Sequence, residues 1–317
     1  MYYIGVDLGG TNIAVGIINE NYEIIIKDKV RTGADRGPDA VISDMAELIL
    51  CLTKRANISF DEIEYVGIAA PGSVDPENIV VKYANNLNMT QYPIGERLKS
   101  LIPVKKVYLE NDANAAALGE AKAGAGKGRR HLIMITLGTG VGGGIVIDGK
   151  LYSGFNYCGA ELGHMVIEQD GLPCTCGRKG CWESYSSATG LVNMTKRKLL
   201  ECKNTVMWEM CDNDIKKVSG KTAYKAKRMG DKAGEEVVEM YEKYLATGLT
   251  NIVNIFQPDV LCIGGGVCGE GDYLLNPIKE AVDRDQYGTN SHKDKTEIVI
   301  AKLGNDAGII GAGILGL

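Results

Sequence analysis

One histidine and three cysteines lie close together near the middle of the sequence. Cys174, Cys176 and Cys181 fall within eight residues, and His164 precedes the first of them by ten residues in a chain with only three histidines. Imidazole nitrogen and thiolate sulfur are ligands that Zn²⁺ prefers, and four of them close a tetrahedral structural site. The spacing therefore predicts one structural zinc ion. The other six cysteines are interpreted as ordinary reduced thiols: Cys51, Cys158, Cys202, Cys211, Cys262 and Cys268.

Two glycine-rich turns, each between two apolar stretches, could bind phosphate. They are Gly9-Gly10-Thr11 and Gly138-Thr139-Gly140. Glycine has no Cβ, so backbone amides in such a turn can approach a phosphate group closely. Asp7, just before the first turn, offers a carboxylate of the kind that holds Mg²⁺ through water. Two such turns predict a nucleotide site, and a pair of hairpins that need glycine only for their geometry is the alternative.

A third glycine run, Gly264-Gly265-Gly266, follows a predicted buried strand, and we expect it to contact adenosine or its ribose. The pattern G-x-G-x-x-G occurs at 138–143 and at 264–269, which raises the alternative of a nicotinamide dinucleotide site. The first match is followed by a strand where that site needs a helix, and the second lies late in the chain with no βαβ unit after it. The context favours a mononucleotide.

Asp112 is the strongest candidate for acid–base chemistry. It follows the predicted strand 106–110 and begins a predicted helix, and ligands of open α/β sheets bind at such strand ends. Phosphoryl transfer to a hydroxyl needs a group that accepts the hydroxyl proton. A plain helix cap is the alternative for this aspartate. Glu161 and Glu183 flank the histidine–cysteine cluster, which would fix both carboxylates as acceptors for substrate hydroxyls.

The elements that must position these residues occur in a repeated order. Strand, glycine turn, strand and third strand open the chain, and the same order recurs from residue 132. Two similar halves of this kind predict two α/β lobes that face one another. The predicted helices are 38–56, 112–120, 183–200, 232–256 and a small-residue helix at the end, and the further predicted strands are 22–30, 64–69, 106–110, 150–152, 259–263 and 297–302.

Composition excludes several classes of protein. The 317 residues exceed the usual size of one hydrophobic core. A net charge of −5 argues against a nucleic-acid or anionic-membrane partner. The chain has no run of 18 apolar residues and begins directly with a predicted strand, without the basic and apolar regions of a signal peptide. We expect a cytoplasmic enzyme.

Taken together, these motifs resemble the ROK family of sugar kinases. The residues 7–12 and 137–144 are similar to its two phosphate motifs, and 110–116 are similar to its catalytic segment. The stretch 159–164 with 174–183 resembles its combined sugar and zinc signature, and 304–308 resemble the closing segment of its glucokinases. The resemblance covers nearly the whole chain.

The resemblance implies an α/β, two-lobed actin-like/hexokinase-like (ribonuclease H-like) ATPase fold with a cleft between the lobes. We expect a small domain at 1–113, with the terminal helix 304–317 packing back onto it, and a large domain at 114–303 that carries the zinc site. The implied reaction is ATP-dependent phosphorylation of glucose at O6, with Asp112 as the general base and Mg²⁺ bound with ATP. The expected partners are ATP, a small sugar and a second copy of the chain, because homodimers are the family expectation.

The resemblance also implies residue roles. Sugar contacts are expected from Gly72, Asn85, Asn86, Asn111, Asp112, Glu161, His164 and Glu183. ATP contacts are expected from Gly9, Gly10, Thr11, Asn12, Gly138, Thr139, Gly140, Gly264, Gly265 and Gly266, and Asp7 is expected at Mg²⁺. His164 would place one ring nitrogen on zinc and the other toward the sugar.

Two alternatives to a glucokinase remain at this point. One is a kinase for fructose, mannose, N-acetylglucosamine or N-acetylmannosamine, since Cys158-Gly159-Ala160-Glu161 departs from the Ala-Gly-Glu-Ile run of many glucokinases. The other is a sugar-sensing regulator of the same family. Such regulators carry a helix-turn-helix domain before the first phosphate motif, and Asp7 leaves no room for one in this sequence.

Overall fold

The computed structural model describes residues 1–288 and 295–317, which form two compact units. Unit 1 comprises Met1–Met134, Gly144–Ala160 and Ala301–Leu317, and unit 2 comprises Ile135–Gly143 and Glu161–Ile300. Both units mix helices and strands, so the predicted α/β class is confirmed. No helix among the described residues combines the length and the apolar character needed to cross a membrane.

The predicted strands and helices occur in the predicted order, with some differences in their bounds, and further strands and helices stand between them. The strands are β1 Tyr2–Leu8, β2 Asn12–Asn19, β3 Ile24–Arg31, β4 Ile63–Ala70, β5 Ser73–Asp75, β6 Val80–Ala84, β7 Met89–Tyr92, β8 Val107–Asn111, β9 Leu132–Leu137, β10 Val141–Ile147, β11 Lys150–Leu151, β12 Val260–Gly264 and β13 Glu297–Ile300. The α-helices are α1 Pro38–Ala56, α2 Ile94–Leu101, α3 Asp112–Ala123, α4 Glu183–Ser186, α5 Ala188–Glu201, α6 Met207–Met210, α7 Thr222–Arg228, α8 Lys232–Phe256, α9 Asp272–Asp285 and α10 Ala307–Gly313.

Unit 1 is built on a five-stranded sheet of order β3-β2-β1-β4-β8. The first two hairpin strands pair antiparallel, and β1–β4 and β4–β8 pair parallel, so the carboxyl ends of β1, β4 and β8 meet at one edge. Helix α1 covers this sheet with the apolar positions that its 3.6-residue period predicted; Val41, Met45 and Ile49 are fully buried. Pro38 opens the helix, and Asn57 closes it in the left-handed conformation.

The described residues contain two further sheets. Strands β5, β6 and β7 form an antiparallel sheet of three strands that the sequence did not predict. Strands β9 to β13 form a five-stranded sheet of order β11-β10-β9-β12-β13.

Helix α10 belongs to unit 1 and packs closely, backbone against backbone, on α3, β1 and β4. A Cβ atom built on Gly67 would lie 1.8 Å from the carbonyl oxygen of Ala312, and one on Gly311 would lie 1.7 Å from that of Ala115. Only glycine permits these approaches, which explains the small-residue composition of the terminal helix. Because α3 packs on α10, unit 1 extends past the predicted domain boundary at 113/114; that boundary stays a prediction.

The predicted helix 183–200 is wrong in one respect, because two helices occupy it. Helix α4 ends at Ser186, and α5 starts at Ala188. Ser187 between them has an extended backbone, and its Oγ accepts a hydrogen bond from the amide of Gly190 at 3.0 Å. A serine at such a position competes with helical hydrogen bonding and starts a new helix.

Candidate active site

The first glycine turn is held by its own backbone and by one threonine. The amide of Gly9 donates to the carbonyl oxygen of Asn12 at 2.9 Å. Thr32 Oγ1 donates to the carbonyl oxygen of Gly9 at 2.6 Å, which the sequence did not predict. Gly10 and Thr11 remain exposed. A Cβ atom on Gly10 would lie 2.9 Å from Nδ2 of Asn86, so this asparagine lies directly over the turn.

Asp7 stands at the carboxyl end of β1, beside Asp112 at the start of α3. Burial, together with the smaller effect of the Asp112 charge, raises the pKa of Asp7 to about 6. Helix α10 also approaches this carboxylate, since a Cβ atom on Gly308 would lie 2.7 Å from Asp7 Oδ2. A divalent cation bound here would neutralise the charge of these two carboxylates beside the first glycine turn.

The cap of α3 is Asn111 and not Asp112, so the alternative that Asp112 is a plain helix cap is wrong. Asn111 Oδ1 accepts the amides of Ala113 and Asn114 at 2.9 and 3.2 Å. Asp112 is the first helical residue, and its Oδ1 accepts the amide of Ala113 at 2.8 Å. Asn111 therefore caps the helix, and Asp112 is its first residue.

Gly72 is joined to this end of β8 through its backbone. Asn111 Nδ2 donates to the carbonyl oxygen of Gly72 at 3.1 Å. Gly72 has φ of 83°, and a Cβ atom there would lie 2.1 Å from the carbonyl oxygen of Tyr83. Asn85, by contrast, lies beside Tyr83, whose hydroxyl donates to Asn85 Oδ1 at 3.4 Å. The structure thus brings Asn86, rather than Asn85, to the first glycine turn.

The buried polar pair Glu110 and Asn114, on either side of Asp112 in the chain, was not predicted from the sequence. The Glu110 carboxylate accepts the amide of Asn111 at 2.9 Å and Asn114 Nδ2 at 3.0 Å. Both side chains are almost fully buried. Their spacing of four residues across a strand-to-helix junction is the signal that could have identified the pair.

The second glycine turn is held by α4 and α5. The amide of Ala188 donates to the carbonyl oxygen of Gly138 at 2.9 Å. The amide of Gly138 in turn donates to the carbonyl oxygen of Gly140 at 3.0 Å. The Glu183 carboxylate accepts the amide of Val141 through Oε2 at 3.0 Å. Gly138 and Thr139 stay exposed. The Glu183 side chain therefore lies against the turn itself, which no sequence signal indicated.

The four predicted zinc ligands come together. Their ligand atoms all lie within 4.8 Å of one another, with 3.6 Å between Cys174 Sγ and His164 Nδ1 and 3.6 Å between Cys176 Sγ and Cys181 Sγ. A tetrahedral site with Zn–S near 2.3 Å separates its ligands by about 3.5–3.8 Å. The cluster fits Zn²⁺.

The loop around the cluster turns through two glycines with positive φ, Gly177 at 85° and Gly180 at 77°. Cys174 also donates its amide to the carbonyl oxygen of Arg178 at 2.8 Å, which closes the loop. Burial raises the pKa of the Cys181 thiol to about 12, whereas the amide of Arg178 lowers the pKa of Cys176. A metal ion would supply the charge that makes thiolate binding by the buried cysteine favourable.

Glu161 and His164 lie in one short turn before the three cysteines, and the amide of His164 donates to the carbonyl oxygen of Glu161 at 3.1 Å. Glu161 is exposed. Since Nδ1 of His164 faces Cys174, Nε2 is the nitrogen that remains for another partner.

The third glycine run has a packing role of its own. Gly265 has φ of 100°, and a Cβ atom there would lie 2.3 Å from the carbonyl oxygen of Leu137. Gly264 is the buried end of β12, whereas Gly266 has open space around it. Gly265 and Gly266 are both exposed, whereas Gly264 is buried.

Comparison with known proteins places the chain among sugar kinases. The model of the ROK family matches residues 3–317. A glucokinase from Thermotoga maritima is 37% identical over 98% of this chain and 95% of its own length. Among solved structures, a ROK family glucokinase from Streptomyces griseus, in complex with glucose and AMPPNP, has a TM-score of 0.81 at 33% identity over 99% of both chains. A ROK hexokinase from Thermus thermophilus has a TM-score of 0.84 at 29% identity, over 99% of this chain and 97% of that one.

Proposed function

The chain belongs to the ROK family, and we propose that it is a glucokinase that transfers the γ-phosphoryl group of ATP to O6 of glucose. The observation that carries this proposal is the match to glucokinases at 37% identity over nearly the full length of both chains. The two-lobed hexokinase-like fold of the family agrees with the two α/β units.

Asp112 is our candidate for the general base. Its position at the carboxyl end of β8, as the first residue of a helix that Asn111 caps, supports this assignment. The base would accept the proton of the 6-hydroxyl as the oxygen attacks phosphorus, and the bond from phosphorus to the bridging oxygen of ADP would break. Asp7 would hold Mg²⁺ through water, since its carboxylate lies beside the first glycine turn.

Phosphate binding is assigned to the two glycine turns. Exposed backbone at Gly10, Thr11, Gly138 and Thr139 supports this role, because N–H groups of such turns can donate to phosphate oxygens. Asn12, Gly9 and Gly140 complete the two motifs, and Gly264, Gly265 and Gly266 are assigned to the nucleoside. The packing of Gly265 against Leu137 favours Gly266 as the one that touches ligand.

The sugar would be bound by hydroxyl contacts from polar side chains. We assign these to Asn86, Asn111, Asp112, Glu161, His164 and Glu183, with Gly72 as a backbone partner and Asn85 as a weaker candidate. Several hydrogen-bonding partners of this kind discriminate strongly, because a substrate that lacks one hydroxyl leaves a partner unpaired.

Zinc would be held by His164, Cys174, Cys176 and Cys181 as a structural ion. The ligand spacing supports it, and four protein ligands leave no open position for substrate. When bound, the ion supplies rigidity to the loop that carries Thr175 and precedes Glu183. We further propose that the enzyme is a cytoplasmic homodimer that serves glycolysis.

A coupled assay tests the function. The purified chain with glucose, ATP and Mg²⁺ should produce glucose 6-phosphate, detected by glucose-6-phosphate dehydrogenase, which does not accept glucose phosphorylated at other positions. ATP turnover without that product would overturn the assignment of O6.

A further inference from the structure

The Glu183 carboxylate lies between the histidine–cysteine cluster and the second glycine turn. Its Oε2 accepts the amide of Val141 at 3.0 Å, and its Oε1 accepts Thr175 Oγ1 at 3.3 Å. Cys174 Sγ is 3.8 Å from the same Oε1. All of these residues belong to unit 2. The Glu183 side chain thus links the cluster to Val141, which lies 42 residues before it in the sequence.

The turn is shaped to receive this carboxylate. A Cβ atom on Gly140 would lie 2.2 Å from Glu183 Oε2, so any other residue there would displace the side chain. Val141, whose amide the carboxylate accepts, directly follows Gly138-Thr139-Gly140. The orientation of Glu183 therefore constrains the Val141 amide, which adjoins the turn.

Metal binding changes which groups can hold Glu183. A cysteine bound to zinc is a thiolate and has no proton to donate, so the contact from Cys174 cannot be a hydrogen bond in the metal-bound protein. Thr175 then remains as the donor from the loop. Because Thr175 stands between two ligands, Cys174 and Cys176, the ion fixes its position and with it the hydroxyl that reaches Glu183.

We infer that Glu183 is a positioning residue through which the occupied metal cluster sets the geometry of the second glycine turn, and so the affinity for nucleotide as well as for sugar. The inference rests on the proposed function where it concerns the nucleotide and the sugar. The coupling between cluster and turn stands on the geometry of unit 2.

Thr175→Val tests the coupling without altering charge. It removes the hydroxyl but keeps all four metal ligands and the Glu183 carboxylate, so any repulsion between that carboxylate and phosphate stays constant. The matched control is Ser184→Ala, which removes another hydrogen bond to the same loop, from Ser184 Oγ to the carbonyl oxygen of Pro173 at 3.1 Å, and does not involve Glu183. Zinc content is measured for each variant.

Two readouts are taken on the zinc-loaded protein. Hydrogen exchange of the Val141 amide should quicken by roughly threefold or more in Thr175→Val and change little in Ser184→Ala. The dissociation constant of AMPPNP·Mg²⁺, measured calorimetrically without sugar, should rise by roughly twofold to fivefold in Thr175→Val only. In a Glu183→Ala background, Thr175→Val should have no further effect on either readout.

Three results would overturn the inference. They are unchanged exchange at Val141 in Thr175→Val, equal effects of Thr175→Val and Ser184→Ala, or a full effect of Thr175→Val in the Glu183→Ala background. If the wild-type chain fails to bind AMPPNP, the proposed function fails, while the exchange of Val141 still decides the coupling.

Discussion

At the scale of single residues, Asn111 caps the helix that Asp112 begins. Asn111 takes the two amides at the start of α3, and buried Glu110 fixes Asn111 and Asn114 from behind. The sequence placed Asp112 correctly at the start of a helix because a strand and an apolar helix flank it. It did not distinguish the cap from the base, since Asn and Asp are both good caps and stand side by side.

Asp112→Asn should lower kcat by roughly 10²–10⁴-fold, the range for loss of a general base. The amide keeps the shape and can still accept a hydrogen bond, but it cannot take a proton. KM for ATP should change much less. Asp61→Asn, an exposed aspartate outside the site, is the control. Near-normal turnover in a folded Asp112→Asn protein would place the base elsewhere.

Asp7 should make the stability of the metal-free protein depend on pH. Its pKa rises on folding from 3.8 to about 6, so the folded state binds the proton more tightly than the unfolded state. This contribution to the free energy of unfolding is fully present below about pH 4 and is lost as the pH rises through about 6. The total loss is about 3 kcal/mol, since each unit of pKa difference corresponds to about 1.4 kcal/mol.

Asp7→Asn removes this dependence, because the amide does not ionise. The Tm of Asp7→Asn minus that of the wild type, without Mg²⁺, should therefore be larger at pH 7.5 than at pH 4.5. A difference that is constant over this interval would show that Asp7 has an ordinary pKa. Asp61→Asn again serves as the control.

At the scale of elements, the long periodic segments were the most predictable. Helices α1 and α8 have the predicted bounds, 38–56 and 232–256, because an apolar period of 3.6 residues persists for many turns. The break at Ser187 was not predicted, because it depends on a single hydroxyl group. The sheet of β5 to β7 was not predicted either, because strands this short carry little periodic signal.

The contact of Glu183 with Val141 could not be predicted from the sequence either. No local sequence pattern indicates a hydrogen bond between residues 42 positions apart. The family motif associates this glutamate with the sugar alone. The grouping of His164, Cys174, Cys176 and Cys181, by contrast, could be predicted from spacing, because the four residues lie in one short loop plus a nearby histidine.

The cluster predicts about one tightly bound Zn²⁺ per chain, measured by elemental analysis of protein never exposed to chelator. Cys176→Ser should lower both zinc content and Tm, because a hydroxyl is a poor ligand for Zn²⁺. Cys51→Ser, an exposed cysteine on α1, should change neither. Wild-type protein without stoichiometric zinc would refute the site.

The approach of α10 to the sheet of unit 1 gives a prediction about packing. Gly67→Ala places a methyl group against the carbonyl oxygen of Ala312, a backbone atom that cannot rotate away, and should lower stability by roughly 1–3 kcal/mol or more. Gly269→Ala is the control, because its Cβ would meet no atom within 4 Å. Thermal denaturation compares the two, and equal Tm values would contradict the packing.

At the scale of the whole molecule, the acidic charge, the mixed α/β fold and the family agree with a small-molecule kinase. The fold class and the family could be predicted from sequence because their motifs are short, specific and spread over the full chain. The preferred hexose could not, since it depends on the space around the bound sugar, which spacing in the sequence does not reveal.

The central claim is that glucose is the preferred acceptor, and a comparison of kcat/KM for five sugars tests it most directly. Glucose, mannose, fructose, N-acetylglucosamine and N-acetylmannosamine are each assayed with saturating ATP and Mg²⁺, with ADP release as the common readout. We predict the highest kcat/KM for glucose, because hydroxyl-binding side chains left unpaired by another ring lower it by orders of magnitude. A higher value for either N-acetylated sugar would contradict the account.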